Sequence, residues 1–363
     1  MIRPIDVLIV GGGIAGLTTA LAAVDRGLAV TVLDAARPGA ASRAAAGMLA
    51  PSVEGLPTGV QSAAIEARDL YPYFLAGLHE RAGITVPLDR NGILQLADSP
   101  EQLPLLASAA GRDAQVLDTR ELADLEPALA GHPGGVLHPH DGAVDNVVLM
   151  RALDLAVARE PGIARIRDSA ARVHFTPSHA VVQTAGGAQL ESPAMVLATG
   201  AWASGLPGLP RQLPVRPVRG QLLRLGQLPI RHVTYGAGGY LVPRGNALII
   251  GATSEESGFA NATTSKGLAA LRSIAARAVP QLADSVVLEH WAGLRPLTPD
   301  GLPILGADPD VTQLVYACGF SRNGILFAPW AARQLASLLT GGATHRLSGL
   351  FLVNRFDKMN ITS

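Results

Sequence analysis

The sequence predicts an α/β fold, in which a doubly wound parallel sheet flanked by helices carries a second α+β domain built on an antiparallel sheet. Three observations predict it. The run Asp6-Val7-Leu8-Ile9-Val10 meets the turn Gly11-Gly12-Gly13-Ile14-Ala15-Gly16, a helix-like stretch follows, and a second apolar run, Ala29 to Leu33, ends at Asp34. Met195 to Leu197 is a further apolar run that enters a small-residue turn, and Leu314 to Ala317 begins another strand–turn–helix sequence. From Val215 to Ile250 the pattern changes to short strands punctuated by Gly and Pro, among them Gly220–Leu225 and Gly239–Pro243.

The first unit reads as a Rossmann-like β-α-β element for a dinucleotide. Gly11 allows the tight turn, Gly13 lets the backbone approach a pyrophosphate, and Gly16 permits close helix–strand packing. Ile14 and Ala15 open the helix, whose free N–H groups and positive dipole end suit phosphates. Asp34, followed by Ala35, stands where a carboxylate accepts hydrogen bonds from both ribose hydroxyls.

Small residues dominate Arg37 to Leu49, as is needed where backbone lies close to another surface, although an Ala-rich helix start reads the same way. A helix is predicted over Gln61 to Ala82 with Gly83 as its stop, and Asn91-Gly92 turns into a strand, Ile93–Leu96. Residues 101–130 look helical. His138, His140 and Asp141 cluster between Gly134 and Val144, but a metal site would need a further ligand, so they read as loop residues. Asn146 to Arg159 is a helix with Asn146 a candidate cap. Ala171 to Gln183 is a strand pair broken at Pro177-Ser178, and Thr199 and Gly200 fall at the carboxyl end of a parallel strand, where cofactors sit. Helices are predicted from Ser265 to Val279 and through Leu339. The nucleotide-binding domain is therefore discontinuous (1–85, 140–214 and 290–363), with 86–139 and 215–289 forming the second domain.

At 363 residues with no formal net charge and 16% charged residues, the chain lacks the basic face a nucleic-acid partner requires. Only two of its 29 basic residues are lysines, so an arginine is informative only through its setting. The single cysteine, Cys318, rules out an intramolecular disulfide and a cysteine-cluster metal site, and its strand-like surroundings read as core. Val7 to Val24 is free of charge, but its glycines and the flanking Asp6 and Asp25 favour strand–turn–helix over a membrane span. No signal peptide is legible, and a cytoplasmic location without a membrane span is expected.

Six segments, in order along nearly the whole chain, carry a resemblance: Gly11–Gly16 with Asp34, Ala44–Leu49, Ala198–Trp202, Tyr240–Arg244, Trp291-Ala292-Gly293-Leu294-Arg295-Pro296 and Arg322-Asn323-Gly324-Ile325-Leu326. The chain resembles the D-amino-acid-oxidase superfamily of flavoproteins, and within it the glycine oxidases of thiamine biosynthesis. The resemblance implies FAD. It places Ala41 and Ser42, then Ala46, Gly47 and Met48, against the pyrophosphate and flavin, with Val173 on the adenine side. Phe320, Ser321, Arg322, Asn323, Gly324, Ile325 and Leu326 would bring a helix N-terminus to the pyrimidine end of the flavin, favouring its anionic reduced form. No cysteine lies near Arg295, so the FAD is expected to be non-covalent.

An amino-acid oxidase must hold a carboxylate, and a guanidinium fork matches both oxygens. Arg295 and Arg322 stand beside Gly or Pro at predicted strand ends and match the family's substrate-binding arginines, with Tyr240 adding a hydroxyl. The implied reaction is hydride transfer from the α-carbon of glycine or a small amino acid to flavin N5. It needs no general base if the amine arrives neutral, and dioxygen, imine hydrolysis and water complete it with hydrogen peroxide, a 2-oxo acid and ammonia. Ser254 stands where a glycine oxidase that the chain resembles carries a bulkier methionine near the substrate, which would leave room for larger D-amino acids or sarcosine. A quinone acceptor, a nicotinamide-dependent dehydrogenase and a non-catalytic flavin-binding scaffold are the other readings, and a homo-oligomer is an expectation drawn from related oxidases.

Overall fold

The computed structural model describes residues 5–342 and 347–357. Its first layer is a six-stranded sheet in the order Ile304–Ala307, Leu314–Cys318, Ala194–Leu197, Val7–Val10, Val30–Leu33, Ile163–Ile166. Every pairing is parallel except that of Ile304–Ala307 with Leu314–Cys318. All four residues of Val7–Val10 are buried, as continuous apolar runs are when helices cover both faces of a sheet. The chain leaves Val7–Val10 toward Val30–Leu33 on one side and pairs with Ala194–Leu197 on the other, so a crevice opens at the carboxyl ends of these strands.

Two helices stand side by side over this crevice. Ile14–Val24 packs on Gly324–Leu339, and Thr18 Oγ1 donates across the pair to the Ala328 carbonyl at 3.3 Å. The buried Tyr71 hydroxyl donates to the Ile325 carbonyl and fixes the start of the second helix.

The second layer is an eight-stranded sheet in the order Val287–Leu297, Arg216–Leu225, Ala247–Gly251, Gly239–Arg244, Val233–Gly236, Ile93–Leu96, Gly134–His138, Gln115–Asp118. It is antiparallel apart from the pairing of Val233–Gly236 with Ile93–Leu96. The helix Ser265–Ala278 covers one face with Leu271, Ile274, Ala275 and Ala278. The α/β class with parallel and antiparallel sheets is thus as expected. Val287–Leu297 pairs with Arg216–Leu225 along nearly its whole length, so the boundary drawn at 289/290 falls inside a strand.

Four local expectations are corrected. The predicted helix over Gln61 to Ala82 is two helices, Thr58–Asp69 and Tyr71–Ala82, because Pro72 lacks an N–H and its ring collides with the carbonyl of the preceding turn. Its stop at Gly83, φ 67°, is as predicted. Residues 101–130 are not one helical stretch but Gln102–Ala109, the edge strand Gln115–Asp118 and Thr119–Leu125. The cap of Asn146–Arg159 is Asp145, whose carboxylate accepts from the N–H groups of Val147 (3.0 Å) and Val148 (3.1 Å). Of the three residues read as loop, His140 and Asp141 do lie in the turn between two strands, and His138 does not. His138 ends a strand and is buried, and Asp141, fully buried, accepts from Arg68 at 2.9 Å and from the N–H and hydroxyl of Ser52.

Cys318 is fully buried, and desolvation pushes its thiol up to about 12. An aromatic disulfide reagent at pH 8 is therefore expected to find no reactive thiol in the folded protein and one after denaturation; reaction before unfolding would contradict this packing.

Candidate functional site

A cavity of about 450 Å³ occupies the crevice. Its floor is the turn after Val7–Val10, and the closeness of that turn to its neighbours is set by glycine. A Cβ on Gly11, φ 119°, would collide with the Ala198 carbonyl, and one on Gly16 with the Gly11 carbonyl. Of the nucleotide-side residues expected from sequence, Gly11, Gly13, Ile14, Ala15, Asp34, Ala35, Ala41, Ser42, Ala46, Gly47, Met48, Thr199 and Gly200 line it. So do Phe320, Ser321, Arg322, Asn323, Gly324 and Ile325 from the other helix start. Ser321 holds φ 51°, an uncommon conformation for a residue with a Cβ, in the turn that aims this helix at the cavity.

Three expected residues do not line it. Gly16 acts behind the floor through packing, and Leu326 points into the core. Val173 is fully buried in a strand, and its N–H is already committed to the Pro207 carbonyl at 2.9 Å. Asp168, Ser169 and Ala170 face the cavity in that region instead.

The electrostatics at the nucleotide end favour an anion. Neither helix carries an acidic residue in its first turn, and neither has a side-chain cap from its own N-cap residue. The Ile14 N–H is met by Ser42 Oγ at 3.0 Å. Thr199 Oγ1 is buried without a partner beside this space. Asp34 accepts from Arg165 Nη2 at 2.8 Å and from the Ala36 N–H at 3.0 Å. Burial works to raise its pKa, but Arg165 and the backbone donors prevail, and the carboxyl lies below its usual range. Trp202 stacks on Phe259 with ring centroids 5.7 Å apart, and the Arg37 guanidinium lies 5.6 Å from the Trp202 ring.

At the other end the cavity meets Tyr240, Arg295 and Arg322, which also border a second cavity of about 370 Å³. Ser254 lines this second space together with Thr253, Tyr235 and Gln95, and not the first. Two glycines on neighbouring strands make room for the large side chains. Arg295 lies across Gly220 and Tyr240 across Gly251, and a Cβ at either glycine would collide with them. Arg295 donates from Nη1 to the Thr253 carbonyl at 2.9 Å and lies within hydrogen-bonding reach of the Tyr240 hydroxyl. Arg322, in contrast, is engaged: Nε lies 3.1 Å from Glu54 Oε2, and Nη2 donates to Glu54 Oε1 (3.2 Å) and to the Tyr235 hydroxyl (3.1 Å).

Glu54 and Tyr235 are site residues that the sequence reading missed. Glu54 is 8% exposed at its side chain. Burial pushes its carboxyl pKa up despite the opposing Arg322 and Arg295. For Arg322 burial disfavours the charge, but Glu54 and Tyr235 outweigh it and raise the pKa. Burial likewise raises that of Tyr240, against Arg295 and Arg322. Asp141, by holding Ser52, anchors the turn that carries Glu54.

A parallel sheet with a glycine turn under an anion-seeking helix end, joined to an antiparallel sheet bearing arginines, defines a dinucleotide-binding oxidoreductase. The chain belongs to the FAD dependent oxidoreductase family (DAO), whose profile matches residues 6–338. It is 33% identical to a glycine oxidase from Geobacillus kaustophilus over 349 residues, covering 92% of each chain. The crystal structure of glycine oxidase from that organism superposes with a TM-score of 0.90 at 32% identity, covering 96% of this chain and 98% of the other. A bifunctional protein ThiO/ThiG from Trichormus variabilis is 36% identical over 373 residues, and this chain spans 56% of that protein's length. FAD is accordingly its cofactor, and the glycine cradle, the two helix ends and the unpartnered Thr199 hydroxyl fit a pyrophosphate-bearing group. Among the described residues no helix is long and apolar enough to cross a membrane, and no group of three metal-ligating side chains converges.

Proposed function

We propose that the protein oxidises glycine or another small amino acid to the imine, which water hydrolyses to a 2-oxo acid and ammonia. The observation that carries this reading is the Arg295 guanidinium, standing with the Tyr240 hydroxyl where the two cavities meet. Arg295 pairs with the substrate carboxylate, and Tyr240 donates to the same group. Arg322 is balanced by Glu54, so it contributes shape and a smaller net charge. Glu54, drawn onto Arg322, lines the same end of the cavity. FAD would be held non-covalently by the glycine turn and residues Ala41 to Met48, and would supply there the acceptor for the substrate's hydride, with dioxygen as the expected final electron acceptor and hydrogen peroxide as its product. The protein's own part is positioning and charge placement, with no side chain required as general base. Residues 1–85, 140–214 and 290–363 are taken as the flavin-holding unit and 86–139 with 215–289 as the substrate unit. The likeness to the ThiO part of ThiO/ThiG proteins supports a role in supplying imine for thiamine assembly.

Because the neutral amine is the reacting form, kcat/KM is expected to rise roughly tenfold per pH unit while the substrate ammonium predominates, then level off. A flat profile across the substrate's titration would refute the neutral-amine requirement.

A second reading, oxidation of sarcosine or bulkier D-amino acids, is favoured by one observation. Ser254 opens onto the 370 Å³ space beside Arg295, more than glycine fills. Anaerobic mixing of the purified yellow protein with glycine, sarcosine and D-alanine in turn, followed by air, tests both readings. Bleaching by glycine with peroxide on aeration supports the first, and faster bleaching by the larger amines supports the second. No bleaching by any of them removes the small-amine reading.

A further inference from the structure

One wall of the main cavity, the segment from Ser42 to Met48, is held from behind by two polar side chains, one buried and one partly buried, that do not themselves line the cavity. Asn146 is fully buried. Its amide donates to the carbonyls of Ser42 (3.0 Å) and Arg43 (3.2 Å) and accepts from Arg244 Nη1 (2.9 Å). Arg244, at the end of the strand Gly239–Arg244, donates from Nη2 to the carbonyls of Ala46 (2.5 Å) and Val144 (3.2 Å). Its nearest carboxylate, Asp145, is 3.6 Å away. The segment is also pressed flat at Gly47, φ 82°, where a Cβ would collide with the Val144 carbonyl, and the Val144 N–H donates to the Gly47 carbonyl at 2.8 Å.

We propose that Asn146 and Arg244 form a positioning pin that pre-organises the Ser42–Met48 segment for FAD. Three carbonyl oxygens of a wall that must face an anionic pyrophosphate are drawn to donors behind it, so these acceptors do not oppose the phosphates. A flexible small-residue stretch would otherwise have to be ordered by the cofactor itself, at a cost in affinity. The two residues touch neither substrate nor the reacting atoms, so the pin acts on cofactor affinity.

This inference rests on the cavity being the FAD site. Titration of the apoprotein with FAD, followed by flavin fluorescence and the visible flavin spectrum, separates the two ideas. Failure of the unsubstituted protein to bind FAD would remove the cavity assignment itself. Asn146→Asp keeps the acceptor toward Arg244 and removes both amide donors to the segment; Arg244→Met removes the other half, and Arg244→Lys restores a donor. Asn146→Asp and Arg244→Met are each expected to weaken FAD binding about ten- to a hundredfold, the range for losing hydrogen bonds of this kind. Together they should weaken it less than the product of the two, because they act on one segment, while Arg244→Lys recovers part of the loss. FAD affinity at the unsubstituted value in folded Asn146→Asp and Arg244→Met proteins, with only thermal stability lowered, would make the pair purely structural and overturn the proposal. Should Arg244→Met fail to fold, Asn146→Asp and Arg244→Lys, which both keep a polar group in place, decide it by the same readout.

Discussion

Arg295→Ala is expected to lower kcat/KM for the amino-acid substrate by about 2–5 kcal/mol of transition-state stabilisation, between roughly thirtyfold and several thousandfold. The size follows from leaving a desolvated carboxylate without its partner. Arg322 cannot take over, because Glu54 and Tyr235 already engage it. FAD content is expected to stay near the unsubstituted level, which steady-state kinetics and the flavin absorbance of the same preparation check together. Near-native efficiency would remove Arg295 from the carboxylate site. Gly220→Ala is a companion that keeps the charge and moves it, since the new Cβ would collide with the Arg295 guanidinium. The guanidinium is the far end of a flexible chain, so the fold should survive while KM rises.

Gly16→Ala is expected to abolish stable FAD retention and lower Tm. In an open helix this change would gain about 1 kcal/mol. Here the added Cβ would meet the Gly11 carbonyl oxygen, which is backbone and has little room to yield. Gly11 cannot retreat freely, because its N–H donates to the Leu33 carbonyl at 2.8 Å and it packs so near Ala198 that a Cβ on it would collide with that carbonyl. Overpacking of this kind costs about 1–3 kcal/mol or more, and the displaced atoms are the floor of the flavin cavity. Thermal unfolding with and without added FAD measures both effects. A variant that purifies with full FAD and an unchanged Tm would show that the glycine is not needed for close approach.

The two corrections to helices have different origins. Pro72 was visible in the sequence, and the break before it follows from local sterics that the apolar spacing outweighed in the reading. The strand Gln115–Asp118 had no such marker. It is an edge strand whose Val116 is 48% exposed, so it shows neither the buried run nor a clear alternation, and its pairing with Gly134–His138 alone makes it a strand. At Asn146 the residue types were legible but not their division of labour. Two adjacent residues both suit an N-cap, and Asp145 took that place while the Asn146 side chain turned to segments about a hundred residues away.

By itself the sequence determined the β-α-β unit, its glycine turn and Asp34, the antiparallel companion, and the arginine-bearing motifs at 295 and 322. These are local patterns, fixed by the 2.0 and 3.6 periods and by glycines that tolerate positive φ or close approach. Only the tertiary structure decided that Arg322 is engaged by Glu54, 268 residues away, while Arg295 donates to the Thr253 carbonyl beside Tyr240. It also decided that Val173 is committed to the core and that Ser254 faces a separate space. Charge pairing and burial depend on which distant segments meet, and no spacing along the chain encodes that.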